Sequence, residues 1–278
     1  MRLAVSNIAW DTVEDESIAR LLKRFAIDAI DIAPGKYFPA PTISTDAEIA
    51  KVKNWWADRG IEITGMQALL FGTTGLNVFG SIEVRAALLG HLSAVCRIAG
   101  GLGATRVVFG SPKNRDRSGL TDQEVLDISV PFFQRLGDIA LDTGVTICLE
   151  PNPSCYGANF MTTSAETARV VGSIDHPAIR MQLDTGALTI NEEDPHAVLS
   201  TYGDLVGHVH ASERNLVPLG DGDTDHSHMY SALVQYSAAH VVSIEMVATK
   251  EEAHLMSIER AILVAVKNYR PGNLEVNP

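Results

Sequence analysis

Strand-like and helix-like segments alternate along the whole chain, and this alternation most limits how the chain can fold. Short runs rich in β-branched and aliphatic residues predict eight strands, at 3–7, 29–32, 62–67, 106–110, 145–152, 180–183, 206–210 and 241–246. Segments with helical apolar spacing follow them and predict helices at 14–25, 45–59, 82–102, 121–141, 163–174, 195–202, 227–239 and 250–269. This order of elements predicts the α/β class, with helices joining the strands of a parallel sheet.

Eight strand–helix units predict a (β/α)8 TIM barrel that forms a single domain over residues 1–278. A length of 278 residues is ordinary for one barrel domain. A doubly wound open sheet is the competing architecture. It is less favoured because no Gly-x-Gly-x-x-Gly sequence follows the first strand.

Composition limits the class of partner. The formal net charge of −12 disfavours binding to nucleic acid or to an anionic membrane surface. No run is long and apolar enough to span a bilayer, and the N-terminus lacks the apolar stretch of a signal peptide. We therefore expect a cytoplasmic protein that acts on a small molecule. The sequence leaves homo-oligomer formation open.

Four consecutive predicted strands end in a side chain that commonly binds metals. These side chains are Glu150, Asp184, His210 and Glu245. Each acid alone is also typical of a helix N-cap, but the four together should meet, because the C-terminal strand ends form the mouth of a barrel. Three converging carboxylates repel one another unless a cation lies between them. The set predicts one divalent metal ion, with Mn²⁺ favoured and Mg²⁺, Co²⁺, Fe²⁺ or Zn²⁺ as alternatives.

Short sequences around these strand ends match one known family. They are Leu-Glu150-Pro-Asn152, Leu-Asp184-Thr-Gly, His208-Val-His210 and Ser-Ile-Glu245. On these sequences the chain resembles the xylose-isomerase-like barrel superfamily, which includes ketose 3-epimerases, inosose dehydratases and endonuclease IV. The resemblance implies that Glu150, Asp184, His210 and Glu245 bind one metal. It also implies that Glu150 and Glu245 are the catalytic acid/base pair, acting through a metal-stabilised enediolate.

The resemblance implies a metal-dependent isomerase or epimerase for a sugar or sugar derivative. Ala187 and Tyr156 stand where ketose epimerases carry a histidine and a second glutamate, so a dehydratase or lyase for a keto-sugar or cyclic polyol is the alternative. A third alternative is a DNA-repair enzyme like endonuclease IV, and the missing histidines after the third and fourth strands disfavour it. A non-catalytic barrel is the last class.

Candidate substrate-binding residues near the predicted mouth are Trp10, Gln67, Lys113, Asn152, His208, Arg214 and His226. Trp10 is predicted to form an apolar wall for sugar C–H groups, and packing in the core or at the rim is the alternative. Lys113, with Arg115 and Arg117, is predicted to bind a phosphate or carboxylate, and a solvated loop is the alternative. His226 is predicted to assist the reaction or to cap the next helix. The segment 70–79 is predicted to be a lid.

Overall fold

The computed structural model describes residues 1–236 and 241–271, and it shows a closed barrel of eight parallel strands in sequence order. The strands are β1 Leu3–Ser6, β2 Ala29–Ile32, β3 Glu62–Met66, β4 Arg106–Phe109, β5 Thr146–Leu149, β6 Ile179–Asp184, β7 Val206–Ser212 and β8 Val242–Glu245. Pairing of Val5 in β1 with Ile244 in β8 closes the barrel. The predicted single-domain (β/α)8 barrel is therefore confirmed, and the open-sheet alternative is wrong.

Nine α-helices surround the barrel in the part of the chain that the structure describes. They are α1 Asp15–Arg24, α2 Asp46–Ala57, α3 Ile82–Leu102, α4 Asp122–Asp142, α5 Ser164–Ile174, α6 Thr185–Ile190, α7 Pro195–Tyr202, α8 His226–Tyr236 and α9 His254–Tyr269. The end predicted for α8, at 239, lies outside the described residues. None of the helices in ranges 1–236 and 241–271 is long and apolar enough to cross a membrane.

Side-chain caps start several of these helices where the sequence predicts them. Thr45 and Glu48 form a capping box at α2, and Thr121 and Glu124 form another at α4. In each box the two side chains satisfy backbone N–H groups that have no partner within the helix. These caps direct the chain from the mouth of the barrel back along its outside.

The interior of the barrel carries polar side chains beneath the mouth. Cys148, Gln182, His208 and Ser243 are all buried. Each lies two residues before one of Glu150, Asp184, His210 and Glu245 and shares its face, because side chains alternate across a strand. Pairing of Gln182 with His208, and of Asp184 with His210, aligns the layers of β6 and β7.

Candidate metal centre and active site

The side chains of Glu150, Asp184, His210 and Glu245 meet at the C-terminal end of the barrel. Glu150 directly follows β5, Asp184 and Glu245 end β6 and β8, and His210 lies within β7. One ligand atom from each residue lies within 4.8 Å of the others. His210 Nδ1 is 3.1 Å from Glu245 Oε2 and 3.7 Å from Glu150 Oε1. The structure thus brings together the four residues predicted to bind metal.

Electrostatics at this cluster favour the binding of positive charge. Burial, with the nearby carboxylates of Glu245 and Glu150, raises the pKa of Asp184 to about 7. Burial alone would lower the pKa of His210, but the same two carboxylates raise it well above its ordinary value of 6.5. Without an ion, Asp184 and His210 therefore hold protons more tightly than the free side chains do. A divalent cation would displace those protons and offset the same repulsion.

The donor set and its spacing fit one divalent ion. Such ions bind oxygen and nitrogen ligands at about 2.0–2.2 Å, so that their ligand atoms lie about 2.8–4.4 Å apart. The separations of 3.1 and 3.7 Å from His210 Nδ1 fall within this range. Three carboxylates with one imidazole form a hard set that suits Mn²⁺ or Mg²⁺.

Neighbouring groups hold the Asp184 carboxylate in place. The Oγ of Ser212 lies 2.8 and 2.9 Å from its two oxygens and donates to it. The backbone N–H of Ala187 also donates to it, at 2.6 Å, and this contact caps α6. Asp184 therefore both caps a helix and faces the cluster, although the sequence suggested these as alternatives.

Two predicted substrate-binding residues are hydrogen-bonded to the glutamates. Gln67 Nε2 donates to Glu245 Oε1 at 2.7 Å. Asn152 Nδ2 donates to Glu150 Oε2 at 3.0 Å and to the backbone oxygen of Gly110 at 2.8 Å. Both side chains therefore orient a carboxylate at the mouth, since each amide N–H fixes one carboxylate oxygen.

A cavity of about 830 Å³ opens above the cluster. Glu150 and Glu245 lie on its lining, together with Gln67, Lys113 and Tyr156. The segment 68–76, which contains most of the predicted lid, forms another part of the wall. A cavity of this size can enclose a small organic ligand beside the two glutamates.

Two predicted substrate-binding residues lie away from this cavity. Trp10 is fully buried, and its indole N–H donates to Asp15 Oδ1 at 2.7 Å. Its ring packs against Trp56 instead of forming an open wall. His208 is also buried, and its Nε2 lies 2.7 Å from Asp31 Oδ2. Because it precedes His210 by two residues, His208 faces inward one layer deeper in the barrel.

Three basic side chains near the mouth lie in three different environments. Arg115 is fully buried and donates to the backbone oxygen of Glu150 at 2.7 Å. It therefore supports a strand end instead of offering its guanidinium to a substrate. Arg214 is exposed in the loop after β7. His226 is buried between the Tyr269 hydroxyl, at 2.8 Å, and Glu213, at 3.2 Å.

Two carboxylates that are at most 2% exposed were not predicted from the sequence. Asp31 is 1% exposed in β2, and Glu213 is 2% exposed after β7. Glu213 accepts hydrogen bonds from the backbone N–H groups of Gly220 and Thr224 and thereby shapes the loop before α8. A single acid within the apolar sequence Ala-Ile-Asp-Ile is the only signal that pointed to Asp31.

The model of the xylose isomerase-like TIM barrel family matches residues 19–263. The chain belongs to this family. This match, which covers most of the barrel, confirms the predicted resemblance to the family.

Curated relatives match over shorter stretches. The L-ribulose 3-epimerase of Methylomonas sp. (strain DH-1) is 34% identical over 107 residues, which are 38% of this chain and 37% of that protein. The inosose dehydratase of Lacticaseibacillus casei is 26% identical over 132 residues, which are 44% of this chain and 43% of that protein. The chain thus spans about two fifths of the length of these relatives.

Solved structures resemble the whole barrel. D-psicose 3-epimerase from Clostridium cellulolyticum H10, with D-tagatose, superposes with a TM-score of 0.79 at 18% identity, covering 97% of this chain and 98% of that one. The IOLI protein with a bound zinc atom superposes with a TM-score of 0.76 at 18% identity, with the same coverage. Identities this low establish a shared fold.

Proposed function

We propose that the protein is a divalent-metal-dependent enzyme that epimerises or isomerises a sugar or sugar derivative. The observation that carries this proposal is the convergence of Glu150, Asp184, His210 and Glu245 within 4.8 Å at the mouth of the barrel. The sequence relationship to an L-ribulose 3-epimerase supports a sugar as the substrate. Mn²⁺ is the metal we propose.

Glu150, Asp184, His210 and Glu245 would hold the ion. When bound, the ion polarises the substrate carbonyl and offsets the negative charge that develops as a neighbouring C–H loses its proton. The zinc atom in the related barrel of the IOLI protein supports a divalent ion in a barrel of this kind. The repulsion among the carboxylates supports a bound cation independently, because it helps to raise the pKa of Asp184 to about 7.

Glu150 and Glu245 move the proton. Both line the cavity, from strands on different sides of the mouth. Burial would raise the pKa of Glu245, but His210 lowers it below its ordinary value, so this carboxylate is ionised and can accept a proton. One glutamate takes a proton from a substrate carbon, and the other returns a proton to the opposite face. Hydrogen bonds from Gln67 and Asn152 hold the two carboxylates in orientation.

The test is an assay of ketoses with the Mn²⁺-loaded protein in D₂O. In D₂O we expect a product epimer that carries deuterium at one carbon. In ordinary water the product should have the same mass as the substrate. Glu150→Gln and Glu245→Gln should each lose about 10²- to 10⁴-fold in rate, because each removes an acid/base group. Glu62→Gln, at the exposed start of β3 and far from the mouth, is the matched control. Absence of exchange with every ketose tested, with full metal loading, contradicts the proposal.

A dehydratase or lyase is the second candidate, and the similarity to inosose dehydratase favours it. One of the two glutamates would abstract the proton, and the other would protonate the hydroxyl on the adjacent carbon, which would then leave as water. Tyr156, where ketose epimerases carry a glutamate, lies on the cavity wall with its hydroxyl accepting from the N–H of Asn215 at 2.8 Å. A product lighter than the substrate by one water distinguishes this reaction from epimerisation.

The charge of the chain supports a proposal for the class of partner. We propose a small-molecule carbohydrate as the partner, and neither nucleic acid nor membrane, because the net charge is −12. The missing histidines after the third and fourth strands disfavour the third alternative, DNA repair. A cytoplasmic location and homo-oligomer formation stay predictions.

A further inference from the structure

A carboxylate lies inside the barrel, one layer below the candidate metal centre. Asp31 belongs to β2, on the side of the barrel that supplies no proposed ligand, and it is 1% exposed. A carboxylate in such a place is costly unless polar groups surround it. Thr64 Oγ1 donates to Asp31 Oδ1 at 3.0 Å, and His208 Nε2 lies 2.7 Å from Asp31 Oδ2.

The neighbouring strand leaves room for this carboxylate. Position 65 in β3 is a glycine, and a Cβ there would lie 2.6 Å from Asp31 Oδ1 and 2.8 Å from His208 Nε2. Only a residue without a side chain fits beside the pair at that distance. The interior of β2, β3 and β7 is therefore arranged around Asp31.

The second nitrogen of His210 faces the same carboxylate. His210 Nδ1 points to Glu245 and Glu150, whereas His210 Nε2 is buried and has no hydrogen-bond partner among the described residues. Asp31 Oδ2 lies 4.0 Å from this Nε2. An imidazole that binds a metal through one nitrogen carries its proton on the other, and that N–H is normally directed at a carboxylate or carbonyl.

We propose that Asp31 is a positioning residue for the metal centre: its carboxylate, held by His208 and Thr64, receives the Nε2–H of His210 and keeps Nδ1 free to bind the ion. The proposal rests on the proposed function and deepens it, because it assigns a role to the half of the barrel that supplies no ligand. It also assigns His208 to the support of the centre instead of to the substrate.

The test measures the affinity of the metal-free protein for Mn²⁺ alone, by competition with a chelator of known affinity. Asp31→Asn keeps the shape of the side chain and removes its charge. We expect a 10- to 100-fold weaker affinity, the loss typical when the partner of a metal-binding histidine is removed. Thr64→Val removes one hydrogen-bond donor to Asp31 and should weaken Mn²⁺ binding about 2- to 10-fold. This variant tests the proposal if Asp31→Asn does not fold.

Asp15→Asn is the matched control for loss of a buried carboxylate. Asp15 is buried and accepts hydrogen bonds from Trp10 and from the Tyr37 hydroxyl at 2.9 Å, away from the centre. This variant should lose stability as Asp31→Asn does and should keep its Mn²⁺ affinity. An equal loss of affinity in the control would overturn the proposal, because it would trace the effect to general destabilisation.

A spectroscopic measurement separates positioning from a structural role. In Zn²⁺-loaded protein labelled with [¹⁵N]histidine, we expect His210 to appear as the Nε2–H tautomer with a strongly hydrogen-bonded proton, identified by its absence in His210→Asn. In Asp31→Asn that proton should move to lower frequency and exchange faster with water. An unchanged signal, or an unchanged Mn²⁺ affinity, overturns the proposal.

Stoichiometry provides the remaining outcomes. One ion per chain in the wild type, bound more weakly by Asp31→Asn, supports the proposal. Two ions per chain, with one lost in Asp31→Asn, would make Asp31 itself a ligand and would overturn the positioning role. A wild type that takes up no ion overturns both this proposal and the proposed function. A wild type that binds tightly, alongside an equally tight Asp31→Asn variant, overturns this proposal alone.

Discussion

Gly110 leaves the space that the Glu150 carboxylate occupies. A Cβ at this position would lie 1.9 Å from Glu150 Oε2, which no real contact allows. Gly110→Ala must therefore displace the carboxylate, and we expect a loss of activity of about 10²-fold, as for other displacements of about 1 Å at a reacting group. The measurement is kcat/KM of the metal-loaded protein.

Gly35→Ala is the control for this prediction. A Cβ at Gly35 meets no atom within 4 Å, so this variant should keep wild-type activity and folding. Wild-type activity in Gly110→Ala would mean that Glu150 need not be held where the structure has it, and the acid/base role proposed for it would fail.

For single residues, the sequence predicts which side chains lie at strand ends better than it predicts how deep a side chain lies inside the barrel. Glu150, Asp184, His210 and Glu245 could be grouped because each ends a strand or lies close to its end. His208 shares the inward face with His210, but alternation along a strand specifies the face and not the height. Asp31 could not be paired with His208, because the two are separated by 177 positions in the sequence.

Among the connecting elements, the loop between β7 and α8 depends on the buried Glu213. Burial would raise the pKa of Glu213, but hydrogen bonds from His226 and from the N–H groups of Gly220 and Thr224 lower it to about 2. The pKa in the folded protein thus lies below that in the unfolded chain. The stabilisation that the ionised Glu213 provides is fully present above the pKa of this residue in the unfolded chain, near 4.5. It is lost as the pH falls towards 2.

Glu213→Gln should therefore lower the free energy of unfolding at pH 7 by on the order of 2–3 kcal/mol, and by less than half as much at pH 3. Urea unfolding at both pH values measures this difference. Glu251→Gln, at an exposed position near the start of α9, is the control and should show little change at either pH. A deficit of the same size at pH 3 and pH 7 would show that the charge of Glu213 is not what stabilises the loop.

Helix boundaries show where local signals suffice. Thr45 and Thr121 cap α2 and α4 close to the predicted starts, because the capping box is written in adjacent residues. The start of α9 was predicted at 250, yet the helix begins at His254, since the Thr249 hydroxyl donates to the backbone oxygen of Glu252 and forms a turn. Helix α6 is not predicted from the sequence because it spans only six residues and its cap, Asp184, was favoured as a metal ligand over a helix cap.

Across the whole molecule, the four proposed ligands join the last four strands of the barrel. They come from β6, β7 and β8 and from the residue after β5. An ion held by all of them binds the folded chain and not the unfolded one, so binding must stabilise the fold.

Mn²⁺ at 1,000 times its Kd should therefore add about 4 kcal/mol to the stability of the metal-free protein. Thermal unfolding in EDTA and with Mn²⁺ measures the shift in Tm. Asp184→Asn, which removes one proposed ligand, should shift far less. Equal Tm values with and without Mn²⁺ in the wild type would contradict the role proposed for the ion.

Fold class was predictable at this scale because eight strand–helix repeats have few arrangements that bury both faces of a parallel sheet. Substrate identity was not, because it depends on single side chains near the mouth, such as Tyr156 on the cavity wall and Ala187 beside Asp184. Their effect depends on which hydroxyl groups of a sugar meet them.

The most direct test of the metal centre is anomalous diffraction at the manganese edge, from crystals grown with Mn²⁺. The proposed metal centre predicts one strong peak per chain, within about 2.0–2.3 Å of a ligand atom from each of Glu150, Asp184, His210 and Glu245. A map without a peak among these four side chains, or with the ion bound elsewhere, would contradict it.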